Sequence, residues 1–134
     1  MNYVCSLGYE TPNFIHSSVI IHDTVKLGKA VYILPGSIIM PHAEIKDYSM
    51  ISMGVNLAHH SILDKGCFLS TGVNFGASIH AKENAYVGIG ATIMTRIKTL
   101  GKNSLVGAGS VVINDVEDNA VVAGVPAKLI KYKQ

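Results

Sequence analysis

The chain has 134 residues, 49% hydrophobic and only 15% charged, with a formal net charge of +2 and no tryptophan. That length suits a single domain with a sizeable core, and so small and dispersed a charge argues against a nucleic-acid surface. No run reaches the roughly eighteen apolar residues that a membrane span needs, and residues 1–10 lack the basic start and apolar run of a secretory signal.

In chain order, residues 1–12 form a lead-in without periodicity, residues 13–113 carry a repeat, and residues 114–134 form a terminal turn and cap. Cys5 and Cys67 stand far apart, in no metal-ligand spacing. They read as two reduced thiols in a cytoplasmic protein, with no metal expected. The repeat has a period of six. Stepping by six from Ile15 to Ile93 meets fourteen residues, of which twelve are Ile, Leu or Val, with Phe75 and Ala81 the others. Those three types make up 38 of the 134 residues, so chance would supply about four. The frame slips by one residue within 95–99 and resumes at Leu100, Val106 and Val112. A second row of small or β-branched residues follows four positions behind each aliphatic, from Val19 and Val25 to Ser104 and Ser110.

A helix places apolar residues three and four apart and an amphipathic strand two apart. A period of six fits short strands joined by tight corners, each pointing one large and one small residue inward. Three such strands close a triangular coil of eighteen residues, and stacked coils pair edge to edge at about 4.8 Å. The fold class is therefore an all-β parallel β-helix, a solenoid whose coils bury their apolar faces against one another. The tail differs. Asp115–Asn119 reads as a turn, and 125–131 as a short helix or an extended arm that caps the solenoid.

The eighteen-residue coil also predicts which side chains meet. His42 and His60 stack at one corner, with Pro41 and Ala77 on either side of His59. His16 and His22 fall at surface corners, and His80 lies off the His42–His60 corner. No long loop interrupts the frame before Ile93, so a site there is built from coil corners. A corner histidine suits proton removal at neutral pH, which singles out 56–61, with His59 and His60 at its centre.

Three segments carry a resemblance to a known family: Asn13-Phe14-Ile15-His16-Ser17-Ser18, Leu57-Ala58-His59-His60-Ser61, and Gly107-Ala108-Gly109-Ser110-Val111-Val112 followed by Gly124-Val125-Pro126-Ala127-Lys128. From Asn13 onward the chain resembles the bacterial sialic-acid O-acetyltransferases and UDP-4-amino-sugar N-acetyltransferases, which are hexapeptide-repeat enzymes. The resemblance implies a left-handed β-helix, acetyl-CoA as co-substrate, and a sugar or nucleotide-sugar acceptor acetylated on a hydroxyl or amine. It implies a homotrimer with CoA in a groove between subunits. His59 would be the general base, and the Ala77 backbone N–H would meet the oxyanion. Ile89 and Ala108 would contact the pantetheine arm, with Gly76 and Gly90 allowing its close approach. Lys128 and Lys131 would neighbour the CoA phosphates.

The sequence departs from the family in three ways. His60 stands where the family has Asp or Glu, and Phe68 where it has a second, CoA-contacting histidine. The relatives' N-terminal sugar-binding domain has no counterpart, which implies an isolated catalytic half or a short form. A carboxylate beside His59 would come from Asp64, Glu83 or another subunit. Two other readings remain: a catalytically decayed β-helix used for binding or assembly, and a zinc-dependent γ-type carbonic anhydrase. The latter needs three histidines, and its characteristic pair after His80 is missing.

Overall fold

The structure, a computed structural model, describes residues 2–134. It is a parallel β-solenoid of about six turns, with three faces of eight, six and five strands. The expected coil length holds, since Phe14 pairs with Tyr32 and Asn74 with Thr92, eighteen residues apart. After the slip at 95–97 the spacing becomes nineteen, as between His80 and Thr99.

Burial follows the two rows. From Ile33 to Val112 every residue of the aliphatic row is at most 2% exposed, and the small row between Val31 and Ser110 is buried throughout, with Ile97 the most open at 6%. Only the first coil is open, where Ile15 is 37% exposed. Small inward residues are needed because three strands converge on a narrow axis. Three of the inward serines donate their hydroxyl to a carbonyl of the next coil, Ser37 to Ser52 (2.8 Å), Ser49 to Asp64 (2.9 Å) and Ser61 to Gly76 (2.8 Å). Ser110 Oγ instead accepts from the Gly124 N–H at 3.1 Å, and the buried Ser104 hydroxyl has no partner among the described residues. Burial pushes the Cys67 thiol up to about 12, leaving it unreactive.

Each face has its own chemistry, set by the outward residues beside the buried aliphatics. The first face carries an apolar ladder that includes Phe14, Tyr32, Met50, Phe68 and Tyr86. The second presents Ile38, Met40, Asn56, Asn74 and Thr92. The third is charged, with Lys26, Glu44, Lys46, Asp64 and His80.

The edges differ as well. Corners turn through a residue of positive φ. Between the first and second faces it is glycine from the second coil on, at Gly36, Gly54, Gly72, Gly90 and Gly109. Between the second and third faces it is His42, His60, Ser78 and Arg96, with φ of 58° to 95°. Between the third and first faces the corners open with Lys29, Asp47, Lys65, Glu83, Lys102 and Asp118, alternating in sign. We refer to these as the glycine, histidine and charged edges.

The ends were the least regular part of the sequence. Residues Asn2–Ser6 form a short helix that sets the Cys5 sulfur 3.4 Å from Thr11 Oγ1 and 3.6 Å from Tyr48 Oη. At the other end the helical alternative for 125–131 does not occur. Ala120–Gly124 extends the first face, and Ala127–Tyr132 folds back on it antiparallel. The last coil leaves a strand edge needing partners, and the final strand is exposed along almost its whole length, so a helix would have had no apolar face to bury.

Candidate functional site

The histidine edge takes its shape from the corners. His59 opens a corner and His60 closes it in the left-handed conformation, a costly choice for a non-glycine residue. The His60 N–H donates to the Pro41 carbonyl at 3.1 Å and the Ser78 N–H to the His59 carbonyl at 3.0 Å, which fixes this corner between its neighbours. The His42 and His60 rings stack with centroids 4.8 Å apart, as the eighteen-residue spacing predicts.

The two adjacent histidines meet through their Nδ1 atoms, 3.0 Å apart, with rings nearly perpendicular. Only one nitrogen of such a pair can carry the shared hydrogen. If His59 donates, its Nε2 lone pair faces solvent and His60 acts as the acceptor that orients it. If His60 donates, as it must when protonated, His59 Nε2 becomes a donor and cannot take a proton. His60 thus occupies the role that a carboxylate has in other histidine bases.

Asp64 and Glu83 do not reach His59. Glu83 stands on the charged edge, and Asp64 lies on the third face, where its carboxylate accepts from Lys46 Nζ and His80 Nε2, both at 2.7 Å. Burial alone would raise the Asp64 carboxyl, but the hydrogen bonds from Lys46 and His80 outweigh it and hold the group below the usual carboxylate value. A lowered folded value means stability present above the unfolded pKa of about 3.9 and lost as pH falls through the folded value. Asp64→Asn is therefore expected to cost about 1 kcal/mol near neutrality and nothing in strong acid. Urea titrations of both proteins across pH would show the difference closing.

Ala77 lies one coil beyond His59, as predicted, but its N–H donates to Thr95 Oγ1 at 3.3 Å. Gly76 serves the coil stack. A Cβ there would meet the Thr95 backbone nitrogen at 2.5 Å, so its absence admits the next coil. Gly90 has open space around it and is required by its φ of 68°. For both glycines the structure therefore supplies a reason other than ligand approach.

The remaining candidates stand elsewhere. Ile89, 55% exposed, and Ala108 open successive corners of the glycine edge, and neither N–H has a hydrogen-bond partner among the described residues. Phe68 is on the first face, stacked on Tyr86 with centroids 5.0 Å apart. Lys128 is exposed on the last strand, beside a cavity of about 280 Å³ at the C-terminal end, and Lys131 is exposed three residues further on. The structure thus brings His59, His60, Gly76 and Ala77 together on one edge and Ile89, Gly90 and Ala108 on another. The five residues of strand between those edges span about 16 Å.

Between the two edges the second face holds a groove of about 470 Å³ that the six-residue period does not predict. It is lined by Ile38, Met40, Ala58, Gly76, Met94 and Thr95, among others. Across its floor the Asn56 side-chain amide donates to Asn74 Oδ1 at 2.8 Å. The signal was present, since the two asparagines are eighteen apart in outward positions.

No protein-family model matches the chain. Among solved structures it is similar to PerB of Caulobacter crescentus in complex with CoA and GDP-perosamine, at 30% identity and a TM-score of 0.93, covering 97% of this chain and 62% of that one. It is similar, at 29% identity and a TM-score of 0.94, to a GDP-perosamine N-acetyl transferase variant from the same organism, covering 97% of this chain and 61% of that one. Among curated proteins, the serine acetyltransferase of Synechococcus elongatus is 32% identical over 117 residues, 85% of this chain and 43% of that protein. The chain spans less than two-thirds of the length of each. It is a hexapeptide-repeat β-helix of the kind found in acetyltransferases. Within that class it resembles the sugar N-acetyltransferases, matching only their acetyltransferase portion.

Proposed function

We propose that this protein transfers an acetyl group from acetyl-CoA to a hydroxyl or amine of a sugar or nucleotide-sugar, with His59 as general base. The observation that carries the reading is the 3.0 Å Nδ1 contact between His59 and His60 on the edge that also presents Ala77. With His60 accepting, His59 Nε2 takes a proton from the acceptor as its oxygen or nitrogen attacks the thioester carbon. The tetrahedral intermediate then collapses, the C–S bond breaks, and the leaving thiolate recovers the proton from His59. The similarity to PerB, which was crystallised with CoA and GDP-perosamine, supports both the donor and the acceptor class.

The unpartnered N–H groups of Ile89 and Ala108 suit the amides of the pantetheine arm, and Lys128 and Lys131 suit its phosphates. Ile89 and Ala108 stand across the second face from His59, and the two lysines lie on the terminal strand of the first-face sheet. A site that uses both edges is completed when one copy sets its glycine edge against another copy's histidine edge. The apolar first face and the Ile/Met-lined second face supply surfaces for such an assembly, which we take to be a homotrimer.

Saturating acetyl-CoA is expected to stabilise the protein by about 2.7 kcal/mol at a hundredfold excess over Kd, seen as a higher melting temperature. Thiol release should follow with at least one member of a panel of nucleotide-sugars, free sugars and small amines. Phe68, packed against Tyr86 where the family has a CoA-contacting histidine, favours a second reading as a binding module that has lost turnover. Acetyl-CoA binding without release across the whole panel would select it, and stoichiometric zinc in the purified protein would favour an anhydrase.

A further inference from the structure

Thr95 is the point where the regular frame breaks. The extra residue of the chain is accommodated at Thr95-Arg96-Ile97, with Arg96 at a φ of 95°. Thr95 is nevertheless held tightly. Its backbone nitrogen lies 2.5 Å from where a Cβ of residue 76 would stand, so Gly76 lets this corner settle directly onto the coil below. Its β-branched side chain has few χ1 choices, and its hydroxyl oxygen accepts the Ala77 N–H at 3.3 Å.

An N–H that is already donating to a hydroxyl cannot also point freely at a substrate oxygen. The hydroxyl, however, has one hydrogen of its own. With Oγ1 accepting from Ala77, that hydrogen is directed away from the backbone, and Thr95 is exposed beside the second-face groove it helps to line. Accepting a hydrogen bond also makes a hydroxyl a stronger donor, because chained bonds polarise one another.

We propose that the Thr95 hydroxyl, rather than the Ala77 N–H, is the group that donates to the thioester oxygen as it becomes an oxyanion, with Ala77 holding and polarising it. This deepens the acetyltransferase reading and rests on it. It adds no chemical step. The thioester oxygen gains negative charge as the acceptor adds to the carbonyl carbon, receives the Thr95 hydrogen bond, and loses that charge when the C–S bond breaks.

The test compares wild type, Thr95→Val and Thr95→Ser by two readouts: the carbonyl resonance of bound acetyl-CoA labelled with ¹³C at that carbon, and the kcat and KM of thiol release. The resonance of the bound thioester is expected to move downfield in the wild type, to return towards its free value in Thr95→Val, and to stay shifted in Thr95→Ser. In Thr95→Val, kcat should fall roughly 100-fold, the scale for loss of one oxyanion donor, with KM for acetyl-CoA and melting temperature little changed. A Thr95→Val protein with the wild-type resonance and rate, or a faster one, would overturn the proposal and return the donor role to Ala77. The resonance decides the matter even if no acceptor turns over. If acetyl-CoA binds to none of the three proteins, the acetyltransferase reading falls and this assignment falls with it.

Discussion

His59→Ala is expected to reduce thiol release by roughly 10²–10⁴-fold, the range of a positioned general base, while leaving the melting temperature and acetyl-CoA affinity close to wild type. Both parts follow from the corner geometry. His59 is exposed and its side chain fills no part of the core, and the hydrogen bond it supplies to the coil stack comes from its backbone carbonyl. Alanine therefore keeps the fold and removes only the imidazole. His60 gives the prediction a second arm. His60→Leu leaves the His59 Nδ1–H without its acceptor and should lower kcat, whereas His60→Glu supplies an acceptor with no hydrogen to give back and should retain or raise it. Wild-type turnover by His59→Ala would remove the base assignment.

Ile51→Ala should be the most damaging conservative change in the core. Ile51 is fully buried and packs in register between Ile33 and Leu69. Truncating a large aliphatic side chain to alanine in such a place costs roughly 2–5 kcal/mol. In a solenoid the effect is sharper than its size suggests, since each coil contacts only its neighbours and stability is carried through their interfaces. A weakened central interface leaves two short stacks, so thermal unfolding should start lower and lose cooperativity. A single sharp transition within a degree or two of wild type would contradict this. The same change at Ile15, in the open first coil, should cost far less.

The fold was legible in the sequence because the six-residue period is local and every coil repeats it. The same arithmetic placed His42 on His60 and Ala77 beside His59, since stacking residues differ by one full coil. It missed contacts between side chains that are not in that register. Asp64 and His80 are sixteen residues apart and meet diagonally across two coils, so counting by eighteen never paired them. The Thr95–Ala77 bond does obey the spacing. It was missed because backbone N–H groups leave no mark in a list of side chains, and because Thr95 sits at the slip, where the frame gives no inward or outward assignment. At Gly76 the resemblance implies room for a ligand and the structure fills that room with Thr95, since a sequence cannot say which neighbour uses the space. The terminal segment is compatible in sequence with an arm or a helix because its strands answer to the unpaired edge of the last coil.

The charged edge settles a question that the core leaves open. The buried rows are nearly the same in every coil, so they would accept a coil docked one turn out of place almost as readily as the correct one. The sequence Lys29, Asp47, Lys65, Glu83, Lys102, Asp118 would not. In native order coils bearing opposite charges stack with their backbones about 4.8 Å apart, but a skipped coil sets lysine beside lysine and acid beside acid, an arrangement that repels. A ladder that leaves almost no net charge on the finished molecule can in this way proofread the order in which its coils are laid down.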